Sequence, residues 1–403
     1  MRIAIIGGGI GGLTAALALR QCGFEPEIFE QAPQLLGVGA AILVWPNAMR
    51  VLHRLGLAGT IREHGGVLEQ SRWLRCDGKL LNEFSFPLTD LPALAVHRAQ
   101  LQQTLVDALP PKSIHLDHVF VDYEQFSDRV IARFQNSPSF ECDVLIAADG
   151  LHSHARDQLL NDGPPIDHHY AAWRGVVPHT LPSVQLATAT EIYGRGRRFG
   201  IGPLGAGKVG WWASANKSLL KNRKQANGAQ ATMSPTDLES IREELLELFG
   251  DWCRPVPDLI RATPFDALVR NAVTDRTPVE KWGAGAITLL GDAIHPMTPN
   301  LGQGGCLAIE DAAVLARCLE KYARNGGIEP QIAASFALRQ FESARRSRTA
   351  RLARFSRAYG VMGQWETRTA VQLRDFGLSC VPRLLTRRFL RAIFEYDAYA
   401  VRI

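Results

Sequence analysis

The sequence predicts an α/β protein in which a parallel sheet with its helices is interrupted by an inserted antiparallel sheet and followed by a helical C-terminus. Three observations predict it. An apolar strand, Arg2-Ile-Ala-Ile-Ile6, runs into Gly7-Gly-Gly-Ile-Gly-Gly12 and then the helical pattern Leu13-Thr-Ala-Ala-Leu-Ala-Leu-Arg20. That is the strand, GxGxxG, helix order of a Rossmann-like dinucleotide-binding unit. Three apolar runs end at the acids Glu30, Asp149 and Asp292, which places each at the carboxyl end of a strand, where open α/β sheets bind ligands. From about 170 to 275 the pattern turns to strands rich in Trp, Arg and Gly, interrupted by a helix at 235–249; such alternation marks an antiparallel sheet.

Length and composition bound the answer. A chain of 403 residues holds two intertwined domains with an ample core. Hydrophobic content of 46% and charged content of 21% are those of a soluble enzyme. The net charge of +5 is modest, and much of it comes from arginines at 339–357, so the whole surface is not a nucleic-acid footprint. The seven cysteines are scattered and form no CxxC pair, which fits reduced thiols and a cytoplasmic location. No signal peptide and no bilayer-spanning run is expected, and no His/Cys/Asp cluster has metal-ligand spacing.

Along the chain, Gly7 permits a tight turn, Gly9 the close approach of a pyrophosphate to backbone amides, and Gly12 the packing of helix on strand. Glu30 ends the second strand where an adenosine ribose offers its hydroxyls, and an acid there argues against a ribose 2′-phosphate. Residues 37–44 read as a glycine-bearing loop into a strand, and a helix with Pro46 in its first turn follows. The stretches 70–77 and 79–86, joined by Asp77-Gly78, read as a hairpin that begins the second sheet. Helix is expected at 96–105, and strands at 114–124 and 130–134. The stretch 285–311 is the joint at which the chemistry belongs: a buried strand, the Gly291-Asp292 break, a Pro/Gly-rich loop, and a helix beginning near Gly302. Bare amides at that helix start suit a flat, electron-rich ring. The arginines of 339–357 read as a solvated helix face, with a membrane or an acidic partner as the alternative. Residues 378–403 interleave apolar residues with arginines, and docking onto the protein's own cleft is expected over membrane insertion.

Three motifs together resemble the single-component FAD-dependent aromatic hydroxylases: Gly7-Gly-Gly-Ile-Gly-Gly12 with Glu30, Asp149-Gly-Leu-His-Ser-His-Ala-Arg156, and Gly291-Asp292 through Gly305. Gly39-Ala-Ala-Ile42 with Trp45-Pro-Asn47 looks like the bacterial urate hydroxylases, and Asp275-Arg-Thr-Pro278, Trp282-Gly283 and Asn300-Leu-Gly-Gln-Gly-Gly-Cys306 look like zeaxanthin epoxidases. The resemblance implies a discontinuous FAD-binding domain (1–70, 95–170, 280–355), a substrate domain (71–94, 171–279) and C-terminal helices (356–403). It implies that Glu30 holds the adenosine ribose, Arg98 lies near the pyrophosphate, Val119 lines the adenine and Asp292 binds the ribityl chain. Asp149 takes part in FAD and nicotinamide handling, and Pro299 with the amides of Leu301, Gly302, Gln303 and Gly304 lies against the isoalloxazine. Gly11, Gln31 and Ala41 complete the implied cofactor-binding set.

The implied activity is NAD(P)H- and dioxygen-dependent hydroxylation of an aromatic or heteroaromatic small molecule through a flavin hydroperoxide, kept from water. Two alternatives stand beside it: epoxidation or hydroxylation of a larger lipophilic, isoprenoid-like molecule, and NAD(P)H oxidation without hydroxylation. Members acting on phenols or purinones commonly carry a His or Tyr on the strand corresponding to 208–213, where this chain has Gly210, Trp211 and Trp212. No acid/base group is therefore assigned, and Arg198, Trp211 and Trp212 are the candidate substrate contacts. A regular strand points the two tryptophans to opposite faces, one to the pocket and one to the core. NADH versus NADPH is open, as is a homodimer.

Overall fold

The computed structural model describes residues 1–35, 41–86, 89–178, 181–220, 235–323 and 329–403. Its first sheet has six strands in the order Gly283–Ala284, Ile287–Leu289, Val144–Ala147, Ile3–Ile6, Glu27–Phe29, Ile114–His115. All pairs are parallel except the edge pair of Gly283–Ala284 with Ile287–Leu289. Ile3–Ile6 and Val144–Ala147 are buried at every residue, because the helix Ile10–Gln21 packs on the first and a small antiparallel sheet (Phe120–Gln125, Val130–Phe134, Phe140–Cys142) packs against the second. Strands covered on both faces read as continuous apolar runs, as these do.

The second large sheet has the order Val269–Asp275, Ile166–Val177, Val209–Asn216, Arg197–Pro203, Thr188–Tyr193, Gln70–Arg75, Leu80–Ser85. It is antiparallel except where Thr188–Tyr193 runs parallel to Gln70–Arg75. The expected hairpin supplies its last two strands, with Gly78 at φ 90° in the turn. One face buries Trp173, Phe199, Ile201 and Trp211 under the helices Pro235–Phe249 and Val256–Ala262. The other face looks toward the carboxyl ends of the first sheet.

Two expectations change, and one is not tested. The helix expected at 96–105 is Arg98–Asp107, and Val96 and His97 end the strand Ala93–His97. That strand is central to a three-stranded sheet with Ala41–Val44 and Gly66–Leu68, and its buried apolar run Ala93 to Val96 cannot be told from helix by periodicity. The glycine loop expected at 37–40 lies outside the described residues. The arginines of 339–357 do not form one solvated face. In the helix Pro330–Gly363, Arg345 and Arg348 are buried and meet Glu310 and Asp311 of the helix Gly304–Ala323 at 2.6–2.8 Å. Arg357 binds Asp275 at 2.8 Å, whereas Arg351 and Arg354 point outward.

The C-terminal stretch forms the helices Arg368–Cys380 and Arg383–Phe394. Parts of both dock on the body of the protein: Leu378 is buried and Asn82 donates to the Leu378 and Val381 carbonyls at 2.9 and 3.1 Å, while Ile393 and Phe394 are buried and Phe394 stacks on Trp45 with centroids 4.8 Å apart. No described helix is long and apolar enough to cross a membrane.

Candidate functional site

The sheet's carboxyl edge gathers the residues that the sequence singled out. Gly7 leaves Ile3–Ile6 at φ 104°, and a Cβ there would run into the Ala148 carbonyl. A Cβ at Gly12 would strike the Gly7 carbonyl, while Gly9 has nothing within 4 Å and Gly11 closes on Leu290 and Ala308. One glycine thus makes the turn, one the helix–strand contact, and one leaves an open berth at the N-terminus of Ile10–Gln21, where amides and dipole favour an anion.

Around this berth stand polar groups with spare capacity. Glu30 accepts hydrogen bonds from the Gly8 amide at 2.6 Å and the Ala32 amide at 2.9 Å. The exposed Gln31 follows it. Val119 adjoins His118, whose amide donates to the Glu30 carbonyl at 2.9 Å, so the expected adenine and ribose positions are neighbours. Asp149 accepts from the Ala155 amide at 3.3 Å through one oxygen; its other oxygen is buried without a partner, and burial pushes its carboxyl pKa up.

Asp292, in the turn Gly291–Ala293 after Ile287–Leu289, is crowded by protein atoms, and that desolvation raises its carboxyl pKa against the charges of His295 and Arg98. Its surface is nonetheless accessible, as befits a carboxylate at the bottom of a cleft. The charge of Arg98 acts on both Asp292 and Arg174. Arg174 is held below the usual arginine range by burial and then by the charge of Arg98, and neither arginine has an ion-pair partner among the described residues. Two such cations leave a place for an anion.

The loop after Asp292 is pinned from several sides. Pro299–Leu301 is a single 3-10 turn, Gly302 follows at φ 60°, and the helix starts at Gly304. The Gly302 amide donates to the Pro299 carbonyl at 3.0 Å, so this amide, expected to be bare, is spent inside the turn. Trp45 donates to the Leu301 carbonyl at 3.2 Å, and Asn47 donates to the buried Gln303 side chain at 3.1 Å and to Glu310 at 2.6 Å. Asp311, between His295 and Arg345 at 2.5 and 2.6 Å, also accepts the Gly291 amide. Burial would raise its pKa, but His295 and Arg345 beside it hold it down.

On the facing sheet the two tryptophans separate as alternation requires. Trp211 is core, stacked on Phe199 at 5.1 Å and donating to Thr263 at 2.7 Å. Trp212 is half-buried on the opposite face, with its indole lying across Gly200. Gly202, next on that face, has nothing within 4 Å, and Gly210 closes on Ala41. Arg198, expected as a candidate substrate contact, lies on the same face of the strand as Gly200. It is wholly buried beneath Gly363 of the long helix, and its guanidinium reaches Glu191 and Asn300 while sitting 5.2 Å from the Trp212 ring. Asn300 also donates to the Tyr170 hydroxyl at 3.2 Å and the Ser356 carbonyl at 3.0 Å, which fixes the Pro299–Leu301 turn to the sheet.

Arg174, in the Trp- and Arg-rich strand stretch, and Asn300, in the run Asn300-Leu-Gly-Gln-Gly-Gly-Cys306, were not among the expected site residues. The signal for Arg174 was alternation: with Trp173 in the core, its neighbour had to face the cleft. A cavity of about 640 Å³ bounded by His168, Tyr170, Lys217, Arg357, Gln364 and Trp365 lies behind the Tyr170–Asn300 bond, and no expected site residue lines it. Among the described residues no group of His, Cys, Asp and Glu could hold a metal.

Residues 1–356 match the family described as the FAD binding domain. The chain is 35% identical to aurachin C monooxygenase/isomerase of Stigmatella aurantiaca over 93% of each chain. It is 32% identical to the chloroplastic zeaxanthin epoxidase of Solanum lycopersicum over 90% of its own length, and spans 54% of that longer protein. Klebsiella pneumoniae HpxO, solved with FAD and uric acid, superposes with a TM-score of 0.85 at 29% identity, over 98% of this chain and 96% of that one. The open berth at Gly9, the partnerless Asp149 oxygen and the cations Arg98 and Arg174 suit the pyrophosphate and hydroxyls of FAD, and the chain belongs to the single-component FAD-dependent monooxygenases, the flavoprotein hydroxylase family.

Proposed function

We propose that this chain uses NAD(P)H and dioxygen to hydroxylate a flat aromatic or heteroaromatic molecule laid on the glycine lane beside Trp212. The observation that carries this reading is that lane: Gly200 under the indole and the empty space above Gly202, on the sheet face tied to the Pro299–Leu301 turn. When bound, FAD supplies oxidation of the nicotinamide and reduction of dioxygen, with one oxygen atom going to substrate and one to water.

The chain's own residues then hold, orient and shield. Gly7, Gly9, Gly11 and Gly12 with Arg98 take the pyrophosphate, Glu30 and Gln31 the ribose, and Val119 the adenine. Asp292 accepts from the ribityl hydroxyls, and Asp149 lends its free oxygen to the cofactor or the nicotinamide. Pro299, Leu301, Gly302, Gln303 and Gly304 back the ring, with Ala41 opposite. Arg198 is a positioning residue that sets the turn through Asn300, and Trp212 keeps water out of the lane. The division into a cofactor domain (1–70, 95–170, 280–355), a substrate domain (71–94, 171–279) and C-terminal helices (356–403) is part of the same reading, as is a cytoplasmic location, which the seven free cysteines support.

A second reading, oxygenation of a longer lipophilic molecule, is favoured by the likeness to a zeaxanthin epoxidase and by the absence of a His or Tyr on Val209–Asn216. The experiment is a panel of aromatic, heteroaromatic and isoprenoid compounds, scored for faster NADH or NADPH consumption and for oxygenated product. Acceleration with product from the aromatic group is expected. Acceleration by isoprenoids alone selects the second reading, and NAD(P)H oxidation that no compound changes rejects both. As the cofactor arm, Asp292→Ala should weaken FAD binding by roughly ten- to a hundredfold; unchanged affinity would remove Asp292 from the ribityl site.

A further inference from the structure

The helix Arg383–Phe394 buries Thr386, Ile393 and Phe394 against the body of the protein. Its other side is open: Leu384 is 70% exposed and Leu385 58%. Phe389 lies one turn from Leu385 and packs on the exposed Phe355 of the long helix, with ring centroids 4.5 Å apart. Monomeric surfaces scatter such residues singly, whereas a contiguous group marks an interaction site.

The charges around this group are of one sign. Between residues 376 and 394 there are four arginines and no acid, and between 343 and 365 there is no acid and the exposed arginines are Arg351 and Arg354. Arg351 and Arg354 flank Phe355, and Arg383, Arg387 and Arg388 flank the leucines; all five are exposed and none is in an ion pair among the described residues. Arg391 meets Glu395 at 3.5 Å.

We infer that Phe355, Leu384, Leu385 and Phe389, with the arginines around them, form a surface that docks on an anionic lipid bilayer. The leucines and phenylalanines enter the boundary between head groups and acyl chains, and the arginine stems lie along the apolar surface with their guanidinium groups among lipid phosphates. A bilayer suits the pattern because leucines and arginines alternate along the helix, which lets every arginine reach the head-group layer while its neighbours are buried. The docked surface is also close to the candidate site: Phe394 at the helix's end stacks on Trp45, and Trp45 donates to the Leu301 carbonyl. A lipophilic molecule leaving the bilayer would enter beside the turn, a consequence that rests on the second reading above; the docking itself does not.

The test is co-sedimentation of the purified, FAD-loaded protein with phosphatidylcholine vesicles and with vesicles carrying about 30% phosphatidylglycerol. Binding to the anionic vesicles alone, released by roughly 0.5 M salt, is expected. Replacing Arg383, Arg387 and Arg388 by Gln should lower partitioning by about a hundredfold, each arginine being worth roughly fivefold at such a surface. Leu384→Ser with Leu385→Ser should abolish binding while melting temperature and FAD content stay at parental values, since both side chains are already exposed. The inference is overturned by absence of binding at low salt, by equal binding to both vesicle types, or by retained binding in either variant. It is likewise overturned if the parent is a dimer that the leucine variant dissolves and neither binds vesicles, which would make the surface a contact between two copies.

Discussion

Neighbouring residues on one strand have opposite assignments, and that makes them a controlled pair. Trp211 fills the core under the helices Pro235–Phe249 and Val256–Ala262, whereas Trp212 lies on the cleft face. Trp211→Ala should cost about 3–5 kcal/mol of stability, the usual range for emptying a buried aromatic site, read by urea unfolding. Trp212→Ala should leave unfolding and FAD content near the parent and instead raise the share of NAD(P)H consumption that ends as hydrogen peroxide, because water reaches the lane. An unchanged peroxide share would place the substrate elsewhere than this face.

At the scale of elements, the helices Gly304–Ala323 and Pro330–Gly363 are joined by buried ions. Arg345 bridges Glu310 and Asp311, and Arg348 meets Glu310, while burial and the two carboxylates compete at Arg345, with the carboxylates holding its pKa up. Removing one member strands the others, so Arg345→Ala should lose roughly 3–5 kcal/mol in a urea melt. A loss within experimental error would mean that the ions are solvated in solution.

These helices also show what the sequence could reveal. The strand, GxGxxG, helix unit and the strand-end acids were legible because local periodicity and glycine placement encode them, and alternation separated Trp211 from Trp212. The burial of Arg345 and Arg348 was not legible, since their carboxylate partners lie about thirty-five residues away and an arginine row looks alike whether water or acids face it. The start of Arg98–Asp107 was hidden for a related reason: the preceding strand is buried from Ala93 to Val96 and carries no alternation. Arg198 read as a candidate substrate contact, and nothing in its own strand announces its bond to Asn300.

Across the whole molecule, Asp275 at the end of Val269–Asp275 is held by His168 of the neighbouring strand and Arg357 of the long helix, both at 2.8 Å. Burial alone would raise its pKa, but the close contact of His168 and the hydrogen bonds from Arg357 outweigh it and hold the carboxyl below its usual value. A group depressed in the folded state contributes stability that is full above the unfolded value, about 3.9, and is lost as the pH falls through the folded one. The melting-temperature gap between the parent and Asp275→Asn should therefore be widest near neutral pH and narrow on acidification below about pH 4. A gap that grows on acidification would contradict the clamp.

The order of strands in the first sheet also governs how the chain is made. Ile3–Ile6 is central and precedes every other described strand, yet its neighbour Val144–Ala147 comes some 140 residues later, and Ile287–Leu289 another 140 after that. Between them the chain must lay down most of the second sheet, which cannot close until Val269–Asp275 pairs with Ile166–Val177. Neither sheet is a local product. Pairings so distant in sequence close late and leave apolar edges uncovered during synthesis, so nascent chains truncated before residue 290 should be protease-sensitive throughout, with Val144–Ala147 still lacking its neighbour Ile287–Leu289.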